Sequence, residues 1–205
     1  MYADGYITQK RKHSNRKIGL SLNIKDMERL EAFKEDLEFT GPINTYTVKQ
    51  GYKIGSEYGR VLISSEKLAQ DLIDKGCVEL KTHKLTFPSD EIVPRELKYH
   101  FIRGYLDGDG SISVGKENAK DCNISFTGTE DFLNGLKKYL GKSQLRLDKR
   151  YKEKNDNIYS LNIGGTMQVI EYCYRFYAHS TTYMKRKYDN YRTIVNEYFK
   201  PGRVE

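Results

Sequence analysis

Two Asp-Gly segments recur at matching positions along this chain of 205 residues: YADGYI at 2–7 and LDGDGSI at 106–112. Asp4 and Asp109 lie 109 − 4 = 105 residues apart. An apolar alternation follows each, with Leu20 and Leu22 in the first case and Ile124 and Phe126 in the second. Leu20 and Ile124 are 124 − 20 = 104 apart, so the two registers agree to one residue. Each alternation runs into an acidic turn and an amphipathic stretch, KDMERLEAFKEDL (25–37) and TEDFLNGLKKYL (129–140). Such agreement marks a duplicated unit. Duplication constrains a fold strongly, because whatever one half forms the other must be able to form.

The rest of the unit repeats as well. TYTVKQGYKI (45–54) and GRVLISS (59–65) predict a hairpin, matched by QLRLDKRYK (144–152) and NIYSLNI (157–163). Helical patterns follow at 65–75 and 165–177. The expected class is α+β, with two αββαββα-type repeats and antiparallel sheets. The halves are expected at 1–88 and 89–205, with Pro88 and Pro94 marking the join. Pro94 suits the first turn of a helix over 94–107. That helix carries an apolar face of Leu97, Phe101 and Tyr105, flanked by Ile102 and Leu106. Gly104 inside it costs about 1 kcal/mol against Ala, which predicts close approach by another backbone.

A hydrophobic fraction of 38% supports a real core. Cys77, Cys122 and Cys173 are odd in number, far apart and free of any CxxC. They argue against a disulfide framework and a zinc site, and for a reducing compartment. No apolar run approaches the ~18–20 residues of a membrane span, and no signal-peptide core opens the chain. The net charge of +7 is compatible with a nucleic-acid partner without requiring one.

The chemistry lies in the acids. A helix C-terminus is already partly negative, so carboxylates there are unfavourable. Ordinary turn chemistry would explain one DGDG, but not two copies that each lead into a strand. If the repeats pack about a pseudo-twofold axis, Asp4 and Asp109 meet. Two carboxylates at two negative helix ends repel unless a hard cation such as Mg²⁺ sits between them.

FIRGYLDGDGSI (101–112) resembles the signature of the LAGLIDADG homing endonucleases, and MYADGYI (1–7) resembles the end of a second copy. The similarity spans essentially the whole chain, including GCVELKTHKLTFP (76–88) and TTYMKRKY (181–188). It implies a single-chain protein of two pseudo-symmetric halves with saddle-shaped sheets. It also implies double-strand breakage at a long, specific DNA target by Mg²⁺-dependent phosphodiester hydrolysis. Asp4 and Asp109 would be the catalytic metal ligands. Asp107 matches Tyr2 of the first motif and is not carried over as a ligand. A basic residue near each metal points to Lys81 and Lys185, with Lys84 and Lys187 as close competitors. Ala3, Gly104 and Gly108 would be the small residues where signature helices touch.

The resemblance also suggests DNA contacts. Alternation puts Thr45, Thr47 and Lys49 on one face, with Tyr46 and Val48 on the other. It likewise separates Gln144, Arg146, Asp148 and Arg150 from Leu145 and Leu147. The polar sets are expected to read base edges, and Lys10, Arg11 and Lys12 of the first turn to contact phosphates. Two other readings stand beside the nuclease: a non-cleaving DNA-binding regulator and an RNA-splicing maturase. One feature departs from the family pattern. Met1 lies three residues before Asp4, so the first repeat is expected to lack most of its first helix. Helix 94–107 would then leave Leu97, Phe101 or Tyr105 partly exposed. The family pattern is a monomer; the missing helix leaves two expectations here, self-association through helix 94–107 or weak cleavage. The location expected is cytoplasmic, in a microbial, phage or organellar setting.

Overall fold

The computed structural model of the chain describes residues 1–51, 53–115, 121–141, 147–149 and 157–200. It divides into two compact units, one from Met1 to Lys81 and one from Thr82 onward. The first contains strands β1 (Gly5–Ile7) and β2 (Lys17–Asn23), helix α1 (Met27–Asp36), strands β3 (Asn44–Thr47) and β4 (Glu57–Ser64), and helix α2 (Glu66–Asp74). The second opens with helix α3 (Lys98–Asp109), then strands β5 (Gly110–Ser113) and β6 (Asn123–Gly128) and helix α4 (Glu130–Tyr139). Strands β7 (Leu147–Lys149) and β8 (Tyr159–Gly164) and helices α5 (Thr166–Tyr177) and α6 (Lys185–Tyr198) complete it.

The two sheets have one topology, β1-β2-β4-β3 and β5-β6-β8-β7, with every pairing antiparallel. The fold is therefore α+β and built twice. Period-two alternation makes each sheet two-faced. In the first unit Ile18, Leu20 and Leu22 of β2 pair with Ile63, Val61 and Gly59 of β4. Those residues pack against the helices, since a Cβ on Gly59 would meet Leu30 and Met27 of α1. Leu22, Leu30 and Val61 form one buried cluster; Ile7, Ile18, Ala69 and Cys77 form another beneath α2. In the second unit Ile124, Phe126, Leu161 and Ile163 fill the same face and are buried completely. The N-termini of α2 and α4 are capped by Ser65 and Thr129, whose hydroxyls accept from Leu68 N–H and Phe132 N–H. The three cysteines are buried and form no disulfide. Among the described residues no helix is long and apolar enough to cross a membrane.

Four expectations change. The strand expected over 45–54 stops at Thr47. The chain there closes a turn in which Gly51 and Gly55 take φ of +84° and +81°, backbone open chiefly to glycine. Helix 94–107 begins as a single 3₁₀ turn at Arg95–Leu97 and becomes α-helical at Lys98. Its aromatic residues are not stranded. Tyr105 is buried, stacks on Phe132 at 4.0 Å and donates to Thr127 O at 2.8 Å. Phe101 is half-buried beside Phe87 and Phe132, and only Leu97 is exposed. The covering comes from within the unit. Segment 85–90 is pinned down by the Thr129 hydroxyl, which donates to Leu85 O, and by Lys98. The Lys98 ammonium is buried and donates to Pro88 O and Ser89 O at 2.9 and 3.0 Å, with Asp90 3.1 Å away. Gly104 faces open space, since a Cβ there would meet nothing within 4 Å.

Phe132 is the hub of this packing, touching Phe87, Phe101 and Tyr105. Phe132→Ala is expected to cost about 3–5 kcal/mol. Urea titration followed by circular dichroism should show the midpoint fall at unchanged slope.

Candidate functional site

Each motif ends in an acid followed by glycine, and the glycine has a steric cause. A Cβ on Gly110 would lie 2.5 Å from Leu106 Cδ1 and 2.9 Å from Ser125 O. A Cβ on Gly5 would lie 2.5 Å from Met1 Sδ. In both motifs the chain turns from the signature segment into a strand across the residue four places earlier. The acid is thus held where that segment becomes a sheet.

The last carbonyls of a helix have no partner within it and carry its negative end. In α3 they are satisfied by one side chain. Lys187 of α6 is 3% exposed, and its ammonium donates to Leu106 O at 2.7 Å, Asp107 O at 2.6 Å and Gly110 O at 2.6 Å. In the first unit Lys81 donates to Met1 O at 3.2 Å and Tyr2 O at 2.5 Å. Met1 and Tyr2 match Leu106 and Asp107 at the repeat offset, so Lys81 and Lys187 are counterparts. Of the two candidate lysines at the second motif, Lys187 and not Lys185 bonds to the carbonyls of Leu106, Asp107 and Gly110. Lys185 is exposed and forms an i,i+4 ion pair with Asp189 at 2.6 Å. Lys84 is exposed too. Spacing from the acids could not separate Lys185 from Lys187. Helical periodicity could have done so: Met184, Lys187, Tyr191 and Ile194 form one stripe of α6, and Lys185 lies off it.

Asp109 is half-buried and opens a polar pocket of about 480 Å³ shared with Ser111, Ser125, Thr127 and Ser160. Its donors are carboxylate and hydroxyl oxygens, the hard ligands that suit Mg²⁺ with water and phosphate completing the shell. Asp4 occupies the matching place in the first unit and is exposed. Among the described residues no three His, Cys, Asp or Glu side chains converge on a metal position, so each unit offers one motif acid. Asp107 is occupied otherwise. It is largely buried, and its carboxylate accepts from Met184 N–H at 2.9 Å and Tyr177 OH at 3.2 Å. Burial holds its pKa above the ordinary carboxylate range, against the pull of those bonds and of Lys187 and Arg103. Its counterpart Tyr2 donates to Lys75 O at 2.7 Å, and burial pushes its hydroxyl up to about 12.

The sheet faces turned away from the helices are polar. In the second unit this face carries Ser111, Ser113, Asn123, Ser125, Thr127, Ser160 and Asn162, with Asp148 opposite Ser160. Gln144, Arg146 and Arg150 lie outside the described residues. In the first unit the register reverses the expected division. Thr45 pairs with Gly59 and Thr47 with Glu57, which places both on the helix side at the sheet edge. Asn44 and Tyr46 pair with Arg60 and Tyr58 and take the outer face, and Lys49 is exposed beyond the end of β3. The alternation was legible, but no inward anchor existed to say which set faces out, because every β3 residue is exposed. Tyr58 and Arg60, on the interior strand β4, were missed. In the β1–β2 connection Lys10 pairs with Glu66 at 2.8 Å, while Arg11 and Lys12 are exposed.

Residues 96–195 match the family model described as a LAGLIDADG-like domain. A 93-residue stretch is 31% identical to the probable translation initiation factor IF-2 of Methanocaldococcus jannaschii, covering 42% of this chain and 8% of that protein. The chain therefore spans only a small part of that relative's length. Among solved structures, the LAGLIDADG homing endonuclease I-GzeII in complex with its DNA target is similar at TM-score 0.59 and 13% identity, over 96% of this chain and 86% of that one. The LAGLIDADG meganuclease I-AabMI bound to uncleaved DNA is similar at TM-score 0.58 and 14% identity, over 96% and 87%. I-LtrWI bound to target DNA gives TM-score 0.55 and 11% identity, over 97% and 88%. At such identities the likeness establishes the fold.

The two lysines should behave differently on substitution. Lys187→Met strips three buried carbonyls of their donor and is expected to cost about 2–5 kcal/mol. Lys185→Met removes one exposed pair and is expected to cost less than about 1 kcal/mol. Thermal melting of the two variants side by side checks the assignment.

Proposed function

We propose that this chain belongs to the LAGLIDADG homing endonucleases, a reading supported by the domain model matched at 96–195 and by the shared fold, and that it is a site-specific endonuclease of double-stranded DNA. The observation that carries the reading is the motif end itself, built twice. An acid stands at the turn from signature segment to strand, and a lysine holds the carbonyls behind it. In the second unit that acid opens onto a hydroxyl-lined pocket at the polar sheet face.

Asp4 and Asp109 would hold Mg²⁺. When bound, the ion lowers the pKa of a water nucleophile and offsets charge on the phosphate and the departing oxygen. The chain's own residues do the rest. Lys187 and Lys81 fix the backbone that carries each acid, and their positive charge favours approach of a phosphate. Asp107 ties the end of α3 to the residues at the start of α6. The polar outer faces offer hydroxyl and amide groups to base edges. Arg11 and Lys12, exposed in the β1–β2 connection, suit phosphates. The partner in this reading is a duplex with a long target, bound by a single chain.

The test begins by selecting bound sequences from a randomised duplex library and then measures their cleavage with Mg²⁺ and with EDTA. Mg²⁺-dependent double-strand cleavage is expected from the natural chain. Asp4→Asn and Asp109→Asn should each abolish cleavage with binding largely retained. Cleavage by either variant at the natural rate, or cleavage that survives EDTA, overturns the metal assignment. Sequence-specific binding without cleavage would favour the regulator instead. On the selected duplex, Arg11→Ala should weaken all sequence variants alike and reduce the salt slope by about 1.

A further inference from the structure

One arginine of the first unit, Arg60, presents its guanidinium beside an aromatic ring on the outer face of the sheet. Arg60 lies on β4, an interior strand, on the face turned away from the helices. Across the sheet it stands opposite Ser21 of β2 and Asn44 of β3. Its guanidinium carbon sits 5.4 Å from the ring centre of Tyr46. Tyr46 stacks in turn on Tyr58, with centroids 5.9 Å apart and planes 24° from parallel. Among the described residues Arg60 Nε, shielded from solvent, has no hydrogen-bond partner, a state that Arg29 Nε of α1 shares.

A sheet that only needed a solvated polar face would not hold an arginine this way. The exposed cations Arg11 and Lys12 show the alternative, on a loop where a phosphate can approach from any side. Arg60 has a fixed plane. An aromatic ring beneath a guanidinium holds its orientation and leaves the edge donors for another group. A planar fork at the middle of a sheet matches one target better than any other: the O6 and N7 acceptors of guanine in the major groove.

Resting on the DNA-endonuclease reading, we infer that Arg60 is a specificity-determining residue that reads a guanine in the first unit's half of the target. Tyr46 acts as its positioning residue. The neighbouring Asn44 and Ser21 offer polar contacts to adjacent positions without a preset plane.

The experiment uses the full chain and a randomised duplex library, selected in parallel by the natural protein, Arg60→Lys, Arg60→Ala, Tyr46→Phe and Tyr46→Ala. Affinities are then measured on the selected duplex and its complete set of single-base-pair variants. The natural protein should require guanine at one position. Both Arg60 variants should lose that preference by roughly 5- to 150-fold, the value of one bidentate pair, and keep the preferences elsewhere. Arg60→Lys should keep the salt slope. Tyr46→Phe should preserve the preference, and Tyr46→Ala should weaken it at the same position only. Arg60→Lys is the informative variant should Arg60→Ala melt early. An equal loss on every duplex variant would make Arg60 a phosphate contact and overturn the inference, as would an unchanged profile. Failure of the natural chain to select any duplex would overturn the endonuclease reading and this one together. A selected sequence indifferent to Arg60 would overturn this one alone.

Discussion

The buried ammonium of Lys187 is the interaction on which the second unit's site depends. A helix that ends against a sheet leaves carbonyls pointing where water is scarce, and an acid placed there adds charge of the same sign. One cation with three donors resolves both problems. It satisfies Leu106, Asp107 and Gly110 together and sets positive charge behind Asp109. It also joins distant parts of the sequence. α6 is held to the end of α3 by Lys187 and, through Met184 N–H, by the Asp107 carboxylate. Asn190 Nδ2 adds a bond to Ile112 O at 2.9 Å, which carries the same tie into β5. The acid is therefore fixed by elements about 80 residues away in the chain.

The first unit solves the same problem with other groups. Lys81 comes from a 3₁₀ turn rather than a long helix and reaches Met1 O and Tyr2 O. Where the second motif has Asp107, the first has Tyr2, whose hydroxyl bonds to Lys75 O. The place of that ring also explains Gly76. At φ +86°, a Cβ on Gly76 would collide with the Tyr2 hydroxyl. Geometry at the acid is shared by the two units, while its support was rebuilt separately in each.

That history explains what was legible in the sequence. The duplication, the two antiparallel sheets and the motif acids could be read because they rest on local patterns repeated at one offset. Which lysine holds the carbonyls of the second motif was not legible, because Lys185 and Lys187 both fit the spacing and burial of a lysine contradicts its usual surface preference. Met184, Tyr191 and Ile194 mark the buried stripe that should have decided it. The outer face of β3 was misassigned for a different reason. An edge strand with all residues exposed has no apolar anchor, and its facing is set by pairing with β4, which only the fold reveals. Phe101 and Tyr105 were expected to lack partners because segment 85–90 has no period to announce that it packs on α3 and α4.

The two outer faces, built on one topology, have diverged in chemistry. The described residues of the second are mainly hydroxyls and amides, small groups that reorient easily and share hydrogen bonds with water. The first carries Tyr6, Tyr46, Tyr58 and Arg60, large planar groups with fixed orientations. Tyr6 lies flat over Gly19, where any Cβ would strike its ring. A glycine in the middle of a strand weakens the strand, so its presence in β2 reflects the demand of that ring above it. A rigid face favours one ligand surface sharply, and an adaptable face accepts several with smaller differences. Among the described residues the two faces differ in kind, which suits a target whose halves differ. On the endonuclease reading, the first unit's half would be read strictly and the part of the second half facing the hydroxyls more tolerantly.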